Sequence, residues 1–142
     1  MVRLFLQAHV AFDDGFDIDH PDSQGAGKIV QPRDFVDGDA KPFPGGEDYH
    51  GTPCAGVAIA EENGHGVVGA APGCAFMPVR ISMAEDDDQT AEIFLEVAAH
   101  ADVISCSWGP PPVYSPLPSL IANTLTQIAR DGGPRGKGCV VC

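Results

Sequence analysis

Positive charge is scarce in this chain. Eight Lys and Arg face 20 Asp and Glu, for a net charge of −12. A nucleic-acid partner needs a basic face to meet phosphate, so none is expected. An anionic membrane surface is excluded on the same ground. The acidic surplus suits cationic peptides or metal ions instead. Long apolar runs are also missing. None reaches 18 residues, so no membrane span is read. Met1–Leu6 is apolar, but His9 and Asp13 follow before an h-region or cleavage site can form. No secretory leader is read, and the compartment stays open. Cysteine is neither even in number nor regular in spacing: Cys54, Cys74, Cys106, Cys139 and Cys142. That is no disulfide framework; the residues read as small buried hydrophobes. The five histidines show no HExxH-type spacing, so no zinc site is expected.

What is present is a globular composition, 44% hydrophobic over 142 residues, enough for one domain. Seventeen glycines and 13 prolines make it rich in loops. Apolar runs alternate with helical patterns. Strands are expected at Ala8–Phe12, Asp34–Val36, Ala75–Ile81 and Val103–Trp108, and one more begins at Gly138–Cys142. Helices are expected at His50–Asn63, Gln89–Ala101 and Leu117–Arg130, with Gly64 stopping the first. Strand–helix–strand alternation means parallel βαβ units and an α/β fold. The apolar, strand-like ending reads as the interior of a larger domain, so residues 1–142 are expected to form part of one.

Gly64-His65-Gly66-Val67-Val68-Gly69 fits the dinucleotide pattern GxGxxG in letters only. That fingerprint must follow a strand and open a helix, so that pyrophosphate meets the helix N-terminus. Here the glycines follow a helix and precede a strand, and nucleotide binding is set aside.

Three segments carry chemistry together. Asp13-Asp14-Gly15 ends a buried strand, and Asp-Ile-Asp-His-Pro-Asp follows to Asp22. His50-Gly51-Thr52-Pro53-Cys54-Ala55-Gly56 opens a helix of small residues, and Ser105-Cys106-Ser107-Trp108-Gly109-Pro110 ends another strand. A buried Asp can orient an imidazole, which then acts as general base toward a hydroxyl. In this order and fold class, the segments resemble the subtilisin-like serine proteases (the subtilase or S8 family) over roughly Val10 to Cys142. The double Asp, the Cys four residues after the His, and Ser-Trp-Gly-Pro are most similar to the kexin-like and bacterial branches.

The resemblance implies a three-layer subtilisin-like fold with a mostly parallel sheet, of which this chain carries the N-terminal half. It implies peptide-bond hydrolysis, with Asp13 as the triad Asp and His50 as the triad His. The family's Gly-Thr-Ser nucleophile motif and Ala-Ala-Gly-Asn oxyanion motif do not occur in the chain. In subtilisin, loss of the nucleophile costs about 2 × 10⁶ in kcat, so this chain alone is expected to be inactive. By resemblance a substrate polypeptide, or an inhibitory pro-segment, pairs as a strand with Ser107, Trp108 and Gly109, and Trp108 faces the non-prime subsites. A structural Ca²⁺ is implied at Asp22, the Asn63 side chain and the carbonyls of Glu61, His65 and Val67, since hard oxygen donors suit calcium. Glu85–Asp88 reads as a solvated acidic loop; with Asp14 it would favour basic residues at P2 or P4. The alternative is a non-catalytic relative that binds peptide or calcium.

Overall fold

The structure is a computed structural model and describes residues 8–82, 84–109 and 116–142. Met1–Gln7, whose apolar start was read above as no secretory leader, lies outside the described residues, as does Pro110 of the Ser-Trp-Gly-Pro motif. The element order is β1 (Ala8–Asp13), β2 (Arg33–Asp34), α1 (Gly51–Ile59), β3 (Ala75–Arg80), α2 (Asp87–Ala98), β4 (Val103–Cys106), α3 (Ser119–Asp131) and β5 (Val140–Val141), with a short 3-10 turn at Pro21–Ser23. All strand pairs are parallel, in the order β2-β3-β1-β4-β5.

Side chains on a strand alternate between faces, and β1 divides its residues accordingly. Val10 and Phe12 join Met77, Val79, Ile104 and residues of α2 and α3 in the larger core. Phe12 and Phe94 meet there with ring centroids 5.0 Å apart. Ala11 turns to the other face, against Phe16, Ala55, Ile59 and Phe76. Helix α1 thus covers one side of the sheet and α2 with α3 the other, which gives the three layers. Chain order reverses at β1, which has β3 on one side and β4 on the other. Ligands of open α/β sheets bind outside the carboxyl ends of strands at such a point. Asp13 closes β1 there.

Several boundaries differ from the sequence reading. Helix α1 stops at Ile59 rather than Asn63, because Ala60 turns to φ −51°, ψ 141°. The chain then folds back: Gly69, Ala70 and Ala71 donate their N–H groups to Ala60, Val57 and Ala58. Tertiary bonds, not Gly64, end this helix. Gly69 must be glycine, since a Cβ there would lie 2.5 Å from the Ile59 and Ala60 nitrogens. Helix α2 starts two residues early, because Asp86 and Gln89 form a reciprocal capping box. The acidic run is therefore not simply a solvated loop. Strand β4 ends at Cys106, whose N–H takes the last carbonyl of its neighbour, from Cys142.

Candidate active site

The site forms where β1 runs out. Asp13 is buried, and both its oxygens lie beside His50 Nδ1, at 2.9 and 3.0 Å. The Asp14 N–H donates to Asp13 Oδ1 at 2.9 Å. His50 stands at the mouth of α1 with its side chain half exposed. Burial pushes the Asp13 carboxyl above its ordinary pKa, while the bond to His50 pulls it back. The hydrogen bond and charge of Asp13 raise the imidazole pKa above 6.5, with a smaller contribution from Asp14.

The local sequence does not explain how His50 is held. Helix α1 has no cap of its own, for His50 makes no side-chain cap bond. The acceptor comes from the neighbouring strand. Asp14 takes the His50 N–H at 3.1 Å on one oxygen and the Gly51 N–H at 2.8 Å on the other. These bonds lower the Asp14 pKa despite partial burial. Sequence reasoning missed this role. The available signal was a helix opening on His-Gly-Thr with no capping residue, opposite an Asp-Asp-Gly turn. Gly51 is obligatory, because a Cβ would meet the Gly15 carbonyl oxygen at 2.3 Å and the Asp13 Cβ at 2.9 Å. Cys54, one turn on, sets its Sγ 3.5 Å from His50 Nε2 and 3.8 Å from Nδ1. Asp13, His50 and Cys54 are the one metal-capable cluster of three among the described residues. All five cysteines are free thiols; burial raises Cys106 to about 12 and Cys139 to about 11, which disfavours the thiolate at both.

Ser107, Trp108 and Gly109 follow β4, exposed and without a strand neighbour among the described residues, at the same end of the sheet. Trp108 does more than face outward. Its indole N–H donates to the Phe12 carbonyl at 3.0 Å, tying this segment to the residue before Asp13.

The five residues expected around calcium are also brought together. Asp22 sits buried in the 3-10 turn, and its Oδ2 accepts the Val67 N–H at 3.0 Å. That bond, foremost, lowers its pKa. Asp22 Oδ1 is buried with no hydrogen-bond partner among the described residues. The Glu61 N–H donates to the Asp22 carbonyl, and Asn63 Nδ2 to that of Pro21. Asn63 Oδ1 accepts the His65 N–H at 3.2 Å. Gly66, from the discarded GxGxxG pattern, has φ +64°, and a Cβ there would lie 2.2 Å from Asp22 Oδ1. An ionised, orphaned carboxylate oxygen in an oxygen-rich loop fits a hard cation.

The sequence matches the Peptidase_S8 subtilase family over residues 11–141. The chain belongs to the subtilase family. Among curated relatives, a calcium-dependent protease of Trichormus variabilis is 43% identical over 142 aligned residues, covering 91% of this subtilase chain and 21% of its own length. A dibasic-processing endoprotease of Schizosaccharomyces pombe is 40% identical over 104 residues, covering 71% of this chain and 15% of its own. The fold is that of a subtilisin-like protease. Apa1 from the Antarctic psychrotroph Pseudoalteromonas sp. AS-11 superposes with a TM-score of 0.64 at 23% identity, over 84% of this chain and 28% of that one. The subtilase chain thus spans about a fifth of the length of the first relative.

Proposed function

We propose that this subtilase chain supplies the acid–base pair, one substrate-pairing strand and a calcium loop of a serine endopeptidase. The observation that carries the reading is the 2.9 Å contact between His50 Nδ1 and Asp13, made by a buried carboxylate with a half-exposed imidazole. With Nδ1–H donated to Asp13, His50 Nε2 is left free to accept a proton. It takes the proton of an attacking serine hydroxyl as the new C–O bond forms. It then returns that proton to the departing amine as the C–N bond breaks. Asp13 keeps its charge throughout and stabilises the imidazolium between the two transfers. The serine is not among the motifs of this chain, so residues 1–142 alone bind polypeptide but do not cleave it.

Substrate, or an inhibitory pro-segment, pairs in extended form with Ser107–Gly109, whose backbone has no strand partner among the described residues. The tie from Trp108 to Phe12 keeps that strand in register with Asp13. Asp22, the Asn63 side chain and the carbonyls of Glu61, His65 and Val67 are the groups that would hold calcium. When bound, it supplies a rigid cross-link between the Pro21–Ser23 turn and the loop after α1. Two relatives carry the name calcium-dependent protease, which supports this assignment.

The test is a chimera that continues residues 1–142 with the serine-bearing part of the Trichormus relative, assayed on a chromogenic peptide. Replacing Asp13 by Asn should lower kcat by about 10⁴, and replacing His50 by Ala should cost about 10⁶. A chimera indifferent to both substitutions would falsify the acid–base assignment. Peptide cleavage by residues 1–142 alone would refute the inactivity.

A further inference from the structure

The proposed chemistry depends on the spacing of two side chains that come from different segments, at Asp13 and His50. No hydrogen bond of the sheet fixes that spacing. The strand partner of Asp13 in β3 is Arg80, and the two are in register. The Arg80 side chain is nearly closed off, 12% exposed. Its Nε–H donates to the Asp14 carbonyl at 3.1 Å. Nη1 reaches Asp34 Oδ2 at 3.1 Å and Asp37 Oδ2 at 2.7 Å, and Nη2 lies 3.7 Å from Asp48 Oδ2.

These partners belong to three separate pieces of chain. Asp14 follows Asp13, and its carboxylate caps the helix that His50 opens. Asp34, buried, organises the turn after β2 by accepting the Val36 and Asp37 N–H groups. Asp48 lies two residues before His50 and accepts the Gly45 N–H at 2.9 Å. The segment between is pressed onto the Asp13 side: the Phe16 N–H donates to Pro42, and a Cβ at Gly15 would lie 2.5 Å from the Pro44 Cα. One guanidinium therefore grips both the chain leaving Asp13 and the chain arriving at His50. An arginine can do this because its planar fork offers five donors at fixed angles, which a lysine cannot match.

We propose that Arg80 is the positioning residue of the site, setting the distance between Asp13 and His50 by joining Asp14, Asp34, Asp37 and Asp48. It touches neither substrate nor the reacting atoms and acts through Asp14 and Asp48. The inference rests on the Asp13–His50 pair described above.

The His50 titration, followed by NMR of its ring Cε1–H in the full 142-residue chain, tests it. The charged and thiol groups around that ring are Asp13, Asp14 and Cys54. Arg80→Met removes a positive charge, and electrostatics alone would then raise the His50 pKa. Loss of positioning lowers it, because Asp13 no longer holds the imidazolium. The signs oppose, so the direction decides. The expected result is a fall of about half a unit or more in both Arg80→Met and the charge-retaining Arg80→Lys. Arg135→Lys, a remote cation paired with Asp102, should leave His50 unmoved. A rise in Arg80→Met, or no change in Arg80→Lys, overturns the role of Arg80 while the Asp13–His50 pair stands. Should Arg80→Met fail to fold, Arg80→Lys, which keeps a cation beside Asp34, decides alone. A wild-type His50 that titrates at or below 6.5 and ignores Asp13→Asn overturns the pair itself, and the inference with it.

Discussion

Lys28 offers a stability test that needs no substrate. It is buried, and its ammonium donates to the carbonyls of Ile59, Pro72 at 3.0 Å and Cys74 at 2.9 Å. All three protons are used, so the charged form is the one held, although burial lowers its pKa from the ordinary lysine value. Lys28→Met keeps most of the volume and removes every donor. Each buried acceptor left alone costs about 1–3 kcal/mol, so three cost roughly 3–9. Against this stands the relief of several kcal/mol from no longer desolvating an ammonium. The expected net loss is about 3 kcal/mol, a large share of the roughly 5–15 kcal/mol that holds a domain together. At an m-value of about 1.5 kcal/mol/M, the urea midpoint followed by circular dichroism should fall by about 2 M. Amide exchange should quicken first at Gly69, Ala70 and Ala71, which bond to the end of α1 beside Ile59. A loss below about 1 kcal/mol would refute the reasoning, since water would then be satisfying these carbonyls as well as the ammonium does.

Asp13→Asn should bring the His50 pKa down to 6.5 or lower by NMR. A folded pKa raised above the unfolded one means that the pair adds stability below about pH 6.5 and loses it as pH rises through the folded value, so wild type should exceed His50→Gln by more at pH 6 than at pH 8.5. Gly66→Ala drives a Cβ toward Asp22 Oδ1 at positive φ; terbium or calcium affinity should drop at least about tenfold by titration, with about 1–2 kcal/mol of strain. Asp86→Ala removes the capping box of α2 and should cost about 1 kcal/mol in a thermal melt, while Asp87→Ala should cost less than half of that. Trp108→Phe deletes the bond to the Phe12 carbonyl; about 1 kcal/mol of stability should go, and peptide affinity with it, whereas unchanged peptide binding would separate Trp108 from the substrate strand.

The fold was legible wherever one short segment carried its own pattern. Ala8–Phe12 reads as a buried strand because nearly every residue is apolar, and Ile93 and Val97 mark the buried face of α2 by helical spacing. Failures came where distant residues set a boundary. Nothing in His50–Asn63 says that the chain must turn at Ala60, because the bonds that require it come from Gly69, Ala70 and Ala71. The start of α2 was readable, since Asp86 and Gln89 have capping-box spacing, but four consecutive acids concealed it as a charge run. Asp13 and His50 were read from motif order, and Asp22 from the family resemblance. Their geometry was not, because Arg80 looks like an ordinary strand end and Asp14 was read only as a charge facing substrate.

The scarcity of positive charge bears on how the site is built. Helix α1, which sets His50, runs Gly-Thr-Pro-Cys-Ala-Gly-Val-Ala-Ile, nine residues with no charge and no cap of its own. A helix that short is marginal by itself. Both of its ends are completed from elsewhere in the chain. Asp14 brings a carboxylate to the N-terminal N–H groups, where the helix dipole favours negative charge. Lys28 brings an ammonium to the Ile59 carbonyl at the other end, where it favours positive charge. Arg80 in turn fixes Asp14 by its carbonyl. In a chain of net charge −12, two of the eight basic residues are thus placed out of the solvent, one serving each end of the same helix. The position of His50 is therefore a long-range property of the fold. Substitutions at Lys28 or Arg80 should disturb the imidazole although neither side chain touches its ring.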